Sequence, residues 1–376
     1  MELYIFNMEL DLLGIVDEIE EMDWNRRYYD TGDCLIKALL TTNNLNLLKK
    51  GHIIAKKNDL SDPMIIEHRE ISDEDADGME LLTVEAISLS KRILSSRITL
   101  GRQIEKGTAD KIMENILLAQ TNNSENERRH IKRLEVDTSI KEDFINEYEH
   151  NSLYKSLDEE FETIAMLDGA GYTVYLDLEN KKYVFKAYKG KDVSDKVLFS
   201  TLFDNLSNQN FIESDNNYKN VAIVAGQGEN EDRDLIVYND EAYSDIDRIE
   251  LMVDARDIEQ EVKIEKDKNG EEIEVPVRNG ATAVKLLEER AKEKLEETSK
   301  VRSYTASISG NNYVYREDYN LGDIVSIKND KWDISYKDRI IEINEQYDSA
   351  GITINIEFGK EMPTLAQKIN QKLRRI

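Results

Sequence analysis

The stretch GITINIEFGK, at residues 351–360, constrains the fold of this chain more than any other. Apolar and polar side chains alternate along it: Ile352, Ile354, Ile356 and Phe358 against Thr353, Asn355 and Glu357. Successive side chains of a β-strand point to opposite faces, so this period of two predicts a strand with one buried and one polar face. The chain must therefore contain a sheet that covers a core.

Short alternating runs separated by turn residues fill both ends of the chain. Near the N-terminus they predict strands at residues 3–6, 12–16, 22–26, 34–40, 52–56, 63–71 and 80–89. Near the C-terminus the runs are VRSYTASIS, DIVSIKND, WDISYKDRIIEINEQY and GITINIEF. We expect each end to form a small antiparallel β-barrel.

The period changes in the middle of the chain. A stripe of apolar residues from Ala109 to Leu117 predicts one helix, and a second helix is expected from near Ser152 to Gly169. Further strands are predicted within residues 197–260, followed by a charged hairpin that turns at Asn269 and Gly270. A third helix is expected from Ala281 to about Lys300.

These patterns predict a β-rich α+β fold, with two small antiparallel β-barrel domains and mixed α/β domains between them. The predicted division has five parts: residues 1–97 as the first barrel, 98–196 as a mixed α/β domain, 197–280 as a β-rich insertion, 281–365 as a helix with the second barrel, and 366–376 as a basic tail.

Composition limits the functions this fold can serve. The chain has 376 residues and a formal net charge of -27, which argues against stable nucleic-acid binding because such proteins concentrate Lys and Arg against phosphate. No run approaches the roughly 20 uncharged residues of a membrane helix, and the N-terminus lacks the pattern of a secretion signal. The single cysteine, Cys34, lies in an alternating apolar run and is expected in the core.

The segment DEDADG, at residues 73–78, is the one candidate for a metal site. Asp73, Asp75 and Asp77 precede a glycine as in a calcium-binding loop. The twelfth position of such a loop should supply a bidentate glutamate, but here it is Val84. An acidic hairpin tip is the alternative that we favour.

No catalytic or cofactor-binding motif emerges from the remaining residues. The segment GQGENEDR, at residues 226–233, lacks the third glycine and the following helix of a dinucleotide-binding loop. The four histidines match no zinc pattern, and no serine-nucleophile motif is present. We therefore expect a non-enzymatic protein without a cofactor.

The segment WNRRYY, at residues 24–29, combines aromatic and arginine side chains. Such a combination occurs in sugar-binding or nucleic-acid-binding patches. It is also typical of a strand that packs its alternate residues inward while its arginines pair with carboxylates or with a neighbouring subunit. We favour the second interpretation, in which the arginines pair with carboxylates or with a neighbouring subunit. The interface candidates come from this segment and from the C-terminal strand: Trp24, Arg26, Arg27, Tyr28, Ile352, Ile354, Ile356 and Phe358.

Several stretches, in order along nearly the whole chain, resemble the tail-hub proteins of long-tailed phages and prophages. They include LYIFNMELDLLGIVD, DWNRRYYDTGDCLI, YKNVAIVAGQGENEDR and the closing segment from Asp318 to Leu365. This group is related in fold to the central baseplate hub of T-even phages and to the N-terminal part of tail-associated lysins.

The resemblance implies a homotrimer at the virion tail tip, assembled in the bacterial host cytoplasm. Each subunit would carry two tube-like barrels, so that three chains match the sixfold tail tube and let DNA pass. The implied partners are tail tube and distal tail proteins, the tape-measure protein, and tip or fibre proteins. The alternatives are a hexameric distal tail protein and a tail-tip cell-wall hydrolase or carbohydrate-binding protein.

Overall fold

The first β-rich region supplies seven strands and two short helices. A computed structural model describes residues 1–72, 80–139, 143–203, 205–266, 268, 271–308 and 313–359. The strands are β1 (Leu3–Phe6), β2 (Leu12–Val16), β3 (Ile19–Arg27), β4 (Asp33–Leu39), β5 (Ile53–Lys56), β6 (Asp59–Ser72) and β7 (Leu81–Ser88). The helices are α1 (Thr42–Leu47) and α2 (Leu89–Leu94). The predicted strands of this region are confirmed, whereas α2 was not predicted.

The middle of the chain mixes helices with strands. Its elements are β8 (Arg102–Thr108), α3 (Ala109–Gln120), β9 (Leu134–Val136), β10 (Glu147–Leu153), α4 (Leu157–Asp168), β11 (Gly171–Asp177) and β12 (Lys182–Tyr188). The helix predicted from Ser152 begins at Leu157, because the preceding residues extend as β10. It ends as predicted at Gly169, whose φ of 63° is a left-handed cap that suits glycine.

The remaining elements complete the chain. They are β13 (Leu198–Ser200), β14 (Leu206–Ser214), β15 (Val221–Ala225), β16 (Leu235–Tyr238), β17 (Glu250–Asp254), β18 (Glu261–Lys266), β19 (Glu272–Val277), α5 (Ala281–Glu297), β20 (Val301–Ile308), β21 (Ile324–Asn329), β22 (Ile334–Asp348) and β23 (Gly351–Gly359). None of the described helices combines the length and the apolar composition that crossing a membrane requires.

The chain divides into two compact units. Unit 1 comprises Met1–Tyr148, Ser152–Ile212 and Arg302–Ile376, and unit 2 comprises Glu149–Asn151 and Glu213–Val301. The fold is β-rich α+β, with 20% of the described residues in helices and 48% in strands. The candidate metal residues Asp73, Asp75 and Asp77, the predicted hairpin turn at 269–270 and the basic tail at 366–376 lie outside the described residues.

Unit 1 is built on one 13-stranded sheet that joins both β-rich ends of the chain. Its strand order is β14-β20-β23-β22-β3-β4-β7-β6-β5-β1-β2, with β21 and β13 branching from β22. The two ends meet where β3 pairs antiparallel with β22. The two closed barrels expected from the sequence are not found among the described strands, because β2 is not paired with β3 in the N-terminal half and β14 is not paired with β13 in the C-terminal half.

Three apolar cores pack against this sheet. One face of strands β1 to β7 covers a core that contains Ile36, Ile54 and Val84. The C-terminal strands cover a second core, which contains Ile356 and Phe358. The mixed α/β region forms a third core around α3, α4 and the β11–β12 hairpin, and it includes residues from β1 and β5. Strands β1 and β5 are therefore buried on both faces.

Unit 2 is a small sheet with one helix. Its strand order is β16-β15-β17, and Leu286, Leu287 and Ala291 of α5 pack on Ala222 and Val224 of β15. Strands β18 and β19 form a separate hairpin, which the sequence predicted. Two assignments need correction. Helix α5 was expected with the C-terminal strands but packs on β15, and β13 and β14, expected in the insertion, pair within the large sheet.

Candidate functional site: the two faces of the β3–β22 seam

The β3–β22 pairing places two different sets of polar side chains on opposite faces of the sheet. Arg27 pairs with Glu342, Arg26 with Ile343, and Trp24 with Glu345. Directly opposed residues share a face and neighbours along a strand alternate, so Arg26, Trp24 and Glu345 point to the core side. Arg27 and Glu342 point to the other side.

On the core side lies the seam charge cluster, a set of six charged side chains: Arg26, Lys56, Asp59, Asp62, Arg316 and Glu345. Arg26 Nε lies 3.4 Å from Asp62 Oδ2, and Lys56 Nζ lies 2.6 Å from Glu345 Oε1. Arg316 forms an ion pair with Asp59 and lies 4.0 Å from Glu345. The cluster therefore ties strands of the N-terminal half to residues of the C-terminal half.

Burial and charge shift the protonation equilibria of this cluster. Burial raises the pKa of Asp62, and the nearby Arg26 guanidinium only partly opposes the rise. Burial would also raise the pKa of Asp59, but the hydrogen bond from Arg316 and the positive charge of Arg26 lower it below its usual value. Lys56 also sits 4.7 Å above the ring of Trp24, which gives its charge a second partner.

The opposite side is the polar sheet face, defined here as Asn208, Ser303, Ser307, Glu342, Asn344, Asn355, Glu357, Asn25, Arg27 and Asp33. One row of hydrogen bonds crosses five strands. Asn344 Nδ2 donates to Asn25 Oδ1 at 2.6 Å, Asn355 Nδ2 donates to Asn344 Oδ1 at 2.9 Å, and Ser307 Oγ donates to Asn355 Oδ1 at 2.6 Å. Asn208 Nδ2 continues the row to Ser307 Oγ at 3.2 Å.

A second row on this face carries charge. Arg27 Nε donates to Glu342 Oε2 at 3.0 Å and Arg27 Nη1 to Asp33 Oδ2 at 2.5 Å. Ser303 Oγ donates to Glu357 Oε1 at 2.5 Å, and Glu357 is the cross-strand partner of Glu342. Burial raises the pKa of both glutamates, and Arg27 opposes this rise. The Arg27 guanidinium thus bonds two carboxylates, those of Asp33 and Glu342, and lies close enough to Glu357 to lower its pKa.

The polar character of this face continues beyond the seam. Cross-strand registers place further charged residues on it, with carboxylates in excess of cations: Glu21, Asp23, Glu70 and Glu85, with Lys37. The polar sheet face therefore runs over both β-rich halves and is acidic on balance. A surface depression, lined in part by Asn208, Asn344 and Asn355, lies in it.

The structure distributes the predicted interface residues unevenly. Trp24, Tyr28, Ile356 and Phe358 are fully buried inside the subunit, where they pack in its own cores. Their side chains cannot contact a partner in this fold. Arg26 and Arg27 pair with carboxylates of the same chain, and Ile354 is half-buried. Ile352 is 57% exposed at the end of the sheet and remains an interface candidate.

The burial of the single cysteine confirms one further expectation. Cys34 is buried as predicted, and burial raises the pKa of its thiol. Among the described residues, no three His, Cys, Asp or Glu side chains converge as metal ligands would. Sequence reasoning missed most of the seam charge cluster. The available signal was that Lys56 and Glu345 occupy apolar positions of alternating strands, after Ile54 and Ile343 respectively.

Comparison with known proteins identifies the family of the chain. Residues 2–360 match the model of the Siphovirus ReqiPepy6 Gp37-like protein family. The chain belongs to this family of phage tail proteins. No curated protein sequence matches the chain.

Two solved tail proteins share the fold over nearly their full length. A tail protein from Neisseria meningitidis MC58 is 12% identical, with a TM-score of 0.57 and 96% of each chain covered. The 43 kDa tail protein of prophage MuSo2 from Shewanella oneidensis is also 12% identical, with a TM-score of 0.55 and coverage of 95% of this chain and 98% of that one. A further similar structure is prophage tail protein gp18 from Listeria monocytogenes EGD-e, at 12% identity, a TM-score of 0.50, and coverage of 100% and 99%.

Proposed function

We propose that this tail protein is a non-enzymatic hub at the tail tip, in which three copies form a ring that adapts the sixfold tail tube to the host-facing end. The observation that carries this proposal is the single sheet that joins two β-rich halves, each over its own core. Three such chains supply six β-rich halves. The partners are then the tail tube, distal tail and tape-measure proteins above the ring and tip or fibre proteins below it.

The polar sheet face is proposed to line the central channel. Its hydrogen-bonded amide row and its excess of carboxylates present phosphate with hydrated, negatively charged groups, so that DNA passes without adhering. Strands β2 and β14, which end the main path among the described strands, are different strands of one sheet. A contact between β2 of one copy and β14 of the next is head-to-tail, which is the type of contact that generates rings.

Native mass spectrometry of the purified protein tests the ring directly. We expect a species of three 43.5 kDa chains. A stable monomer would contradict the ring, and six copies would favour the alternative of a hexameric distal tail protein. Electron cryo-microscopy of the same sample, viewed along its axis, should then place Asn344 and Asn355 at the wall of a central hole. Finding these residues on the outer rim would refute the channel assignment.

A peptidoglycan zymogram tests the enzymatic alternative. The protein should leave the peptidoglycan uncleared, whereas a cleared band would favour a cell-wall hydrolase. This result is independent of the number of copies, so it separates the enzyme from both structural hypotheses.

A further inference from the structure

In the described part of unit 2, one face of the small sheet is covered only at its two ends, where Val221 and Ala225 are buried. Helix α5 covers the face that carries Ala222 and Val224. On the opposite face, the registers align Ile223 of β15 with Val237 of β16 on one side and with Met252 of β17 on the other. Val237 is 40% exposed, Met252 is 59% exposed, and Leu235 on the same face is 41% exposed. We name this apolar surface, formed by Ile223, Leu235, Val237 and Met252, the open sheet face.

Acidic loops border the open sheet face at both ends of its strands. Residues 226–234 connect β15 to β16 and hold four carboxylates and one arginine. Residues 239–249 connect β16 to β17 and again hold four carboxylates and one arginine. The two arginines are engaged locally, since Arg233 pairs with Asp254 and Arg248 pairs with Asp240 and Glu250. The surroundings of this apolar surface are therefore negatively charged.

Charge complementarity identifies the kind of partner that fits. We infer that the open sheet face docks a different protein chain, one with an apolar patch surrounded by Lys and Arg. Apolar contact with Val237 and Met252 would provide affinity, and the acidic loops would orient and attract the basic rim. A partner with an acidic rim would be rejected, because like charges brought together across an interface repel each other.

A second copy of this chain is a poor match for the same surface. Residues 213–301 contain 25 Asp and Glu against 13 Lys and Arg, and the whole chain has a net charge of -27. Contact between two copies of unit 2 would therefore place acidic loops against acidic loops. The docked partner is thus expected to be another component of the tail, and this part of the inference rests on the proposed function.

Thiol labelling separates docking from self-assembly. Cys34 is buried, so a Met252→Cys variant offers one accessible thiol. Its reaction with maleimide should be fast in the purified protein at every concentration and at least tenfold slower in assembled tails. Protection in the purified oligomer would show that a second copy covers the face, and an unchanged rate in assembled tails would show that nothing covers it. Either result overturns the inference.

A Leu12→Cys variant keeps this test distinct from the test of the ring. Leu12 is 54% exposed on the edge strand β2, and the proposed contact of β2 with β14 would protect it already in the purified protein. If Leu12→Cys is protected and Met252→Cys reacts freely in tails, the ring stands and the docking surface fails. If the protein is absent from tails, both proposals fail.

Cross-linking identifies what covers the face. A photoreactive amino acid at Val237 should cross-link to a basic segment of another tail protein, while the same group at Glu288, exposed on the α5 side, should not. A cross-link from position 237 to this chain, including its residues 360–376, would overturn the assignment to a different protein. Glu241→Lys should weaken docking at least tenfold, and Met252→Leu should leave it unchanged. Equal docking by Glu241→Lys would refute the role of charge.

Discussion

Replacing Glu345 by glutamine tests whether the seam charge cluster stabilises the joined sheet. Lys56 Nζ and Glu345 Oε1 are 2.6 Å apart, and their side chains are only 10% and 11% exposed. At this separation and an effective dielectric constant of about 20, their attraction is about 6 kcal/mol, which offsets the desolvation of both groups. Removing one partner leaves the other charge buried and costs about 3–5 kcal/mol. We expect Glu345→Gln to lower the free energy of unfolding of unit 1 by about 3 kcal/mol.

The chain offers a matched control with the same distance. Lys37 Nζ and Glu21 Oε2 are also 2.6 Å apart and also join two strands, but their side chains are 39% and 58% exposed. Exposed pairs contribute about 0–1 kcal/mol, so Glu21→Gln should have little effect. Urea unfolding followed by tryptophan fluorescence measures both variants, because Trp24 lies beneath Lys56. Equal losses for Glu345→Gln and Glu21→Gln would refute the reasoning.

The stability loss of Glu345→Gln should depend on pH. Burial lowers the pKa of Lys56 and the charge of Glu345 opposes this, so Glu345→Gln should lower the pKa further. A base with a lower pKa in the folded state gains stability as the pH rises towards its unfolded value of 10.5. The destabilisation should therefore shrink at alkaline pH. A double variant, Lys56→Met with Glu345→Leu, should recover much of the lost stability because no unpaired charge remains.

Two further predictions concern unit 1. Gly322→Ala should lower the free energy of unfolding by about 3 kcal/mol, because the φ of Gly322 is +91° and a Cβ there would lie 2.2 Å from Tyr28 Cε2. Gly51 is the control: its φ is +82°, but a Cβ would meet no atom within 4 Å. Gly51→Ala should therefore lower the free energy of unfolding by only about 1 kcal/mol in the same urea assay. Asp59 has a lowered pKa, so its stabilisation is present above its unfolded value of 3.8 and is lost as the pH falls through the folded pKa. Asp59→Asn should therefore reduce the fall in the free energy of unfolding at acidic pH. Asp195, whose side chain is 94% exposed, is the control, and Asp195→Asn should leave this pH dependence unchanged. An unchanged pH dependence in Asp59→Asn would contradict the prediction.

The alternation of apolar and polar residues predicted the strands well, because the sequence of each strand alone shows which of its residues are buried. Strands β1 and β2 have the predicted bounds, and the alternation in β23 matches its burial from Asn355 to Phe358. Pattern did not predict which strands pair. The contact of β3 with β22 joins residues more than 300 positions apart, and nothing in either strand alone encodes its partner. The two ends were therefore interpreted as separate barrels, although they share one sheet.

Charged residues at core-facing positions of the strands contain part of the information about which strands pair. Arg26 follows Met22 and Trp24 on the core side of β3, and Glu345 follows Ile343 on the core side of β22. A charge that is forced towards a core by the period of its strand must find an opposite charge there, because an unpaired buried charge costs several kcal/mol. Arg26 and Glu345 are not each other's partners, since Asp62 and Lys56 pair with them, but all four meet in one cluster. Such residues, one set from each end of a chain, thus indicate that the two ends meet.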